Sequence, residues 1–120
     1  MNIHESGEDY LEAILMLCEE QGSARSVDIA AHLGVTKPSV SFAMKKLREN
    51  GYIVMDKDNY ITLTEEGMRI AQKVFNRHKV ISKFLMQIGV NEEDAKNDAC
   101  KIEHDISPAT FEAILAQLKD

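Results

Sequence analysis

The chain has 120 residues, 44% of them hydrophobic and 28% charged, with a formal net charge of −6. That length bounds it to one domain, or two small ones sharing a core, and no run approaches the ~20 apolar residues needed to cross a bilayer. The first residues, Met1 to Glu5, lack a basic-then-apolar leader, and Cys18 and Cys100 are far apart. Both features point to a reducing cytoplasm, with the thiols free.

Leu11, Ile14, Leu15, Leu17 and Cys18 recur at helical spacing, predicting a first helix from about Ser6 to Gln21 that Gly22 ends. Cys18 falls on its apolar stripe and reads as a small core residue. Ser26 is placed to cap a short second helix over Val27 to Leu33, with Asp28 in the first turn. After the turn at Gly34, Thr36 caps a third helix that begins at Lys37-Pro38, buries Val40, Met44 and Leu47, and closes at Asn50-Gly51. Tyr52 to Met55 and Tyr60 to Leu63 are β-prone runs around the turn Asp56-Lys57-Asp58-Asn59, which predicts a hairpin. This order is that of a winged helix-turn-helix.

Thr64 caps a long fourth helix reaching Ile88, with Ile70, Val74, Ile81, Phe84 and Leu85 available to a core. Asn91 and Asp94 resemble a capping box for a fifth helix ending near Asp105, and Ser107-Pro108 starts a sixth with Phe111, Ile114, Leu115 and Leu118 on one face. The expected fold is mainly α: a winged helix-turn-helix with a small β-hairpin wing over 1–63, then a helical metal-binding and dimerisation domain over 64–120. The last helices have too little apolar surface to fold alone, so their stripes are expected to meet a second copy, as a homodimer.

Charge is unevenly placed. Residues 1–22 carry six acids and no Lys or Arg, whereas residues 23–57 carry six bases against three acids. The basic excess therefore coincides with the helix-turn-helix, and double-stranded operator DNA is the expected partner. Pro38, Ser41, Phe42 and Lys45 occupy the face of the third helix opposite its apolar stripe. Ser39 and Ser41 can reach base edges or phosphates, Lys45 and Lys46 can neutralise phosphates, and Phe42 either meets a thymine methyl or folds back towards the wing. Arg25 and Ser26 before and at the second helix, Thr36 and Lys37 at the start of the third, and Lys57 at the wing tip complete the expected DNA-binding set.

A second chemistry lies elsewhere. Cys100, Glu103 and His104 share one helical face at i, i+3 and i+4, Asp9 and Glu12 form another i, i+3 pair, and His78 lies in a third helical stretch. Imidazole and carboxylate suit Mn(II), Fe(II), Co(II), Ni(II) and Zn(II), and a thiolate shifts preference towards the softer ions. His4 and His32 lack such company. No nucleophile elbow or His-Glu-x-x-His motif is present, so neither an enzyme nor a small-molecule substrate is expected. Metal and DNA chemistry in one chain points to an ion-controlled switch; the alternative is a metal-independent winged-helix protein-interaction module.

Six motifs in order carry a family resemblance: Gly-Glu-Asp-Tyr-Leu-Glu (7–12), Val-Asp-Ile-Ala (27–30), Pro-Ser-Val-Ser (38–41), Leu-Thr-Glu-Glu-Gly (63–67), Asn-Arg-His-Lys (76–79) and Asn-Asp-Ala-Cys-Lys-Ile-Glu-His (97–104). The chain resembles the metal-dependent repressors of the diphtheria toxin repressor and manganese transport regulator type. The resemblance implies a dimeric repressor whose metal ties the first helix to the dimerisation helices. It puts Asp9, Glu12, His78, Cys100, Glu103 and His104 on metal-ligand positions. Asp9 and Glu12 look like the manganese-sensing branch and Cys100 like the iron-sensing one, so Mn(II) and Fe(II) are the expected ions. Ser82 and Lys96 stand where the iron branch holds an ancillary Glu and His, which favours a manganese-like site for one or two ions. Larger members add an SH3-like domain; the expectation at Asp120 is a short form without it.

Overall fold

The computed structural model describes residues 5–118, with side chains from Gly7 onward, so the expectation for His4 lies outside the described residues. The elements run α1 (Glu5–Gln21), α2 (Ser26–Leu33), α3 (Lys37–Glu49), β1 (Ile53–Met55), β2 (Ile61–Leu63), α4 (Glu65–Gln87), α5 (Glu92–Asp105) and α6 (Pro108–Gln117). Two compact units result, residues 1–72 and 73–120.

In the first unit α1 packs on α2, α3 and β2. Ile14, Ile29, Val40, Met44, Leu47, Ile53 and Ile61 are almost fully buried. Truncating any one of these to Ala removes ~2–5 kcal/mol, because the surroundings relax only partly into the space left. The caps follow side-chain chemistry. Thr36 accepts from the Ser39 amide at 3.3 Å and starts α3. The start of α2 differs from expectation. Arg25 occupies the cap position in extended conformation, Ser26 is already helical, and the Arg25 amide donates to the Asp28 carboxylate at 3.0 Å. The helix thus starts one residue early: the Asp28 and Ile29 amides donate to the Arg25 carbonyl, and the Asp28 carboxylate reaches back to an amide the helix itself leaves unpaired.

The wing is a two-stranded antiparallel hairpin with Ile53 opposite Leu63 and Met55 opposite Ile61. Its turn is fixed by Asp56, whose carboxylate accepts from the Asp58 amide at 2.8 Å and the Tyr60 amide at 3.0 Å. Asn59 takes a positive φ of 67° there, a conformation Asn tolerates better than most residues. The Ile61 amide donates to the Ala24 carbonyl at 2.8 Å, which ties β2 to the segment before α2.

The hairpin is joined to α4 through Thr64 and Gly67. The Thr64 hydroxyl donates to the Gly51 carbonyl at 2.7 Å and accepts from the Gly67 amide at 3.1 Å. Gly67 itself lies against the Tyr52 backbone, where an added Cβ would come within 2.0 Å of the carbonyl oxygen. The second unit centres on Ile81, Ala99 and Phe111, flanked by Val80, Leu85, Ile102 and Ile106. Asn91 and Ser107 cap α5 and α6 through the Asp94 and Thr110 amides at 2.9 and 3.1 Å. Asp94 returns a side-chain contact, accepting from the Asn91 amide group at 2.7 Å, in place of the backbone bond of a full capping box.

Gly→Ala inside a helix ordinarily stabilises by up to ~1 kcal/mol. At Gly67 the sign reverses, because the obstruction is backbone and cannot swing aside. Gly67→Ala is expected to destabilise by ~1–3 kcal/mol in denaturant unfolding of the whole chain. An unchanged or raised midpoint contradicts the close approach.

Candidate metal centre and nucleic-acid face

α4 carries His78 and α5 carries Cys100, Glu103 and His104, one helical turn apart. The fold of the second unit brings all four together. The His78 Nδ1 lies 3.5 Å from the Cys100 Sγ and 3.4 Å from the Glu103 Oε2. The other carboxylate oxygen, Oε1, lies 3.4 Å from the His104 Nε2. Glu103 is 3% exposed, so the carboxylate is almost wholly withdrawn from water. In the first unit, Asp9 and Glu12 stand one turn apart on α1, Asp9 half-buried and Glu12 buried. Ser82 is buried, its hydroxyl without a hydrogen-bond partner among the described residues, and Lys96 is paired with Glu92 at 2.8 Å on an exposed surface.

Each of these three pairs, His78–Cys100, His78–Glu103 and His104–Glu103, has the separation of two donors on one ion. Donors bound at ~2.0–2.3 Å and tetrahedral angles stand ~3.3–3.6 Å from one another. Two imidazoles, a carboxylate and a thiol also form a donor set of the borderline character that first-row divalent ions prefer. The two oxygens of Glu103 face different imidazoles, so the carboxylate can serve one ion or bridge two.

In the metal-free protein a proton does part of this work. The His78 imidazole is pushed up from 6.5 to about 10, first by its hydrogen bond to Cys100, then by that to Glu103, with burial opposing both. The protonated ring therefore stabilises the metal-free fold fully below pH 6.5, and this contribution fades as pH rises to about 10. Burial likewise raises the Cys18 thiol, in keeping with a packing role.

On the first unit, α3 buries Val40, Met44 and Leu47 and presents Lys37, Pro38, Ser39, Ser41, Phe42, Lys45 and Lys46 to solvent. Thr36 and Lys57 are exposed and Ser26 is half-buried. The Thr36 hydroxyl donates to the Ser39 hydroxyl at 2.8 Å, so both are partly committed to the cap. Phe42 does not fold back towards the wing: it is 66% exposed, with the Lys46 ammonium 5.6 Å from its ring centre. The Arg25 guanidinium stacks 4.3 Å over Tyr60 of the hairpin, which fixes its direction. A cleft of about 400 Å³ is lined by Arg25, Ser26, Val27, Ser41 and the wing residues Met55, Asp58 and Asn59. Tyr60 was not singled out by sequence reasoning. Arg77, which donates to the Glu103 carbonyl at 3.1 Å, was also missed, although it stands beside His78 in a quoted motif.

A winged helix followed by a helical unit with clustered metal donors defines a class of metal-responsive DNA-binding regulator. Residues 2–60 match the iron dependent repressor N-terminal DNA binding domain, and residues 64–120 match the iron dependent repressor metal binding and dimerisation domain. The chain is 42% identical over 109 residues to the transcriptional regulator MntR of Salmonella typhimurium, covering 91% of this chain and 69% of that protein. It is 43% identical over 102 residues to the HTH-type transcriptional regulator MntR of Geobacillus thermodenitrificans, covering 85% and 72%. A solved manganese-dependent transcriptional repressor in complex with manganese superposes with a TM-score of 0.83 at 28% identity, over 92% of this chain and 51% of that one. The chain thus spans about half the length of that solved protein. It belongs to the iron-dependent repressor family of metal-dependent transcriptional regulators.

A nitrogen that binds a metal must first lose its proton. With His78 as a ligand, each rise of one pH unit between 6.5 and about 10 would tighten apparent Mn(II) affinity at least ~tenfold, as one proton leaves the ring. Calorimetric titration in buffers of different ionisation enthalpy measures the release. Affinity that stays flat with pH, with no proton released, contradicts the role given to His78.

Proposed function

We propose that this chain is a repressor that binds operator DNA as a homodimer when loaded with Mn(II) or Fe(II), and so controls metal-homeostasis genes. It acts in the cytoplasm and has no catalytic activity. Residues 1–63 serve as the DNA-binding half and residues 64–120 as the metal-binding and dimerisation half. The observation that carries this reading is the buried Glu103 carboxylate, flanked by His78 and His104 with Cys100 against His78, in the same chain as an exposed basic recognition helix.

The proposed ligands are Asp9, Glu12, His78, Cys100, Glu103 and His104. The last four are supported by the approach of His78 to Cys100 and Glu103 and of His104 to Glu103. Asp9 and Glu12 are supported by family resemblance and by their spacing on α1. A bound divalent ion supplies positive charge to the clustered carboxylates and fixes the directions of their donors. Hard carboxylates at Asp9, Glu12 and Glu103 favour Mn(II), while the Cys100 thiol and two imidazoles also suit Fe(II), Co(II), Ni(II) or Zn(II).

Asp9 and Glu12 belong to α1 of the DNA-binding half, so ligation by all six residues biases that half towards the arrangement that grips DNA. Only a difference in affinity between two states can do this. On the duplex, Lys37, Lys45, Lys46, Lys57 and Arg25 neutralise phosphates, the α3 N-terminus at Thr36, Pro38 and Ser39 offers amides to a phosphate, and Ser26, Ser41 and Phe42 border the grooves. Phosphate contacts set affinity and register, and base-edge contacts set sequence.

The test is a mobility-shift titration on promoter fragments with and without Mn(II). Metal is expected to tighten binding ~5–150-fold, and operator DNA to tighten Mn(II) binding by the same factor. Glu103→Ala and His104→Ala should remove the metal response from a folded dimer. Operator binding indifferent to every ion in the wild type would contradict the proposal; absence of DNA binding altogether would favour a protein partner for the winged helix.

A further inference from the structure

The donors Glu103 and His104 occupy the last turn of α5, which ends at Asp105. Carbonyls in a last helical turn have no intrahelical partner, and such turns fray unless another group caps them. Here the cap comes from α4. The Arg77 guanidinium donates to the Glu103 carbonyl at 3.1 Å and lies 5.1 Å over the Phe111 ring of α6. Phe111 is 7% exposed, so it forms a fixed floor for the guanidinium plane. Cationic charge at a helix C-terminus is also favourable to the helix dipole. Arg77 thus makes one bond to α5 and one stacking contact to α6, directly beside His78, the donor contributed by α4.

We propose that Arg77 is the positioning residue of the metal centre, capping the last turn of α5 so that Glu103 and His104 stay in register with His78. The inference deepens the metal-binding reading and rests on it. Arg77 touches no ion; it acts through the Glu103 backbone. Lysine cannot replace it fully, because a single ammonium lacks the planar fork that lets one group donate in its plane and stack on its face. The cavity of about 260 Å³ beside it, lined by Lys73, Asn76, Pro108 and Glu112 as well as Arg77 and Phe111, leaves room for the shorter side chain of a variant without a clash.

The experiment compares wild type, Arg77→Met and Arg77→Lys as full chains. Mn(II) affinity is measured by calorimetry, the visible spectrum of the Co(II)-loaded protein reports donor geometry, and hydrogen exchange is followed in the metal-free state. Arg77→Met is expected to weaken Mn(II) binding ~10–100-fold, change the Co(II) spectrum, and speed exchange selectively at the end of α5. Arg77→Lys is expected to fall between the two. Wild-type affinity and spectrum in a folded Arg77→Met overturn the proposal. If Arg77→Met loses protection throughout the chain, Arg77→Lys decides: weakened binding with native unfolding supports it, and wild-type affinity overturns it. Loss of the fold in both variants also overturns it, since Arg77 would then hold the whole unit rather than the site. Failure of the wild type to bind Mn(II) or Co(II) is a separate outcome, and contradicts the metal-binding reading itself.

Discussion

An ionised carboxylate withdrawn from water costs several kcal/mol unless positive charge and hydrogen bonds compensate it. Glu103 is a carboxyl group so withdrawn, and its two oxygens face the imidazoles of His78 and His104. The compensation can come from protons on the rings or from a divalent ion among the donors. His78, raised to about 10 by its contacts with Cys100 and Glu103, is placed to supply the first option. In the metal centre proposed above, proton and metal would be alternative occupants of one electrostatic site, the ion gaining from several donors at once. A sensor would follow from that competition, because the same side chains must tolerate the empty state and prefer the loaded one.

The DNA-binding half solves a different problem, that of holding exposed groups in fixed directions. Its recognition helix is anchored from below by Val40, Met44 and Leu47. Its wing is set by the Asp56 turn, the Ala24–Ile61 backbone bond and the Gly67–Tyr52 approach. Arg25 gains direction from stacking on Tyr60. Each contact spends little energy alone, yet together they order bases that would otherwise lose side-chain entropy on meeting phosphate. The net charge of −6 is no obstacle, because residues 23–57, which hold the helix-turn-helix, carry six bases against three acids.

Helical period, cap residues and turn chemistry made six helices and a hairpin legible, because each of those signals is local. Thr36, Asn91 and Ser107 cap as their sequence neighbours imply. Ser26 does not, since the helix starts one residue earlier and the Asp28 and Ile29 amides donate to the Arg25 carbonyl. The i, i+3, i+4 spacing of Cys100, Glu103 and His104 exposed the donor cluster, and the fold supplied the meeting with His78. Arg77, Gly67 and Tyr60 carried no comparable mark. Their roles depend on partners 15 to 35 positions away that only the tertiary fold selects: Glu103 and Phe111, Tyr52, and Arg25. Phe42 was balanced between groove and wing, and its exposure decides for solvent.

X-ray absorption at the metal edge of the Co(II)-loaded protein tests the centre most directly. The account predicts a first shell with one sulfur from Cys100, together with imidazole scattering from His78 and His104 that Glu103→Ala disrupts. A shell of oxygen alone, unchanged by that substitution, would mean that the ion sits elsewhere and that the buried carboxylate serves only the fold.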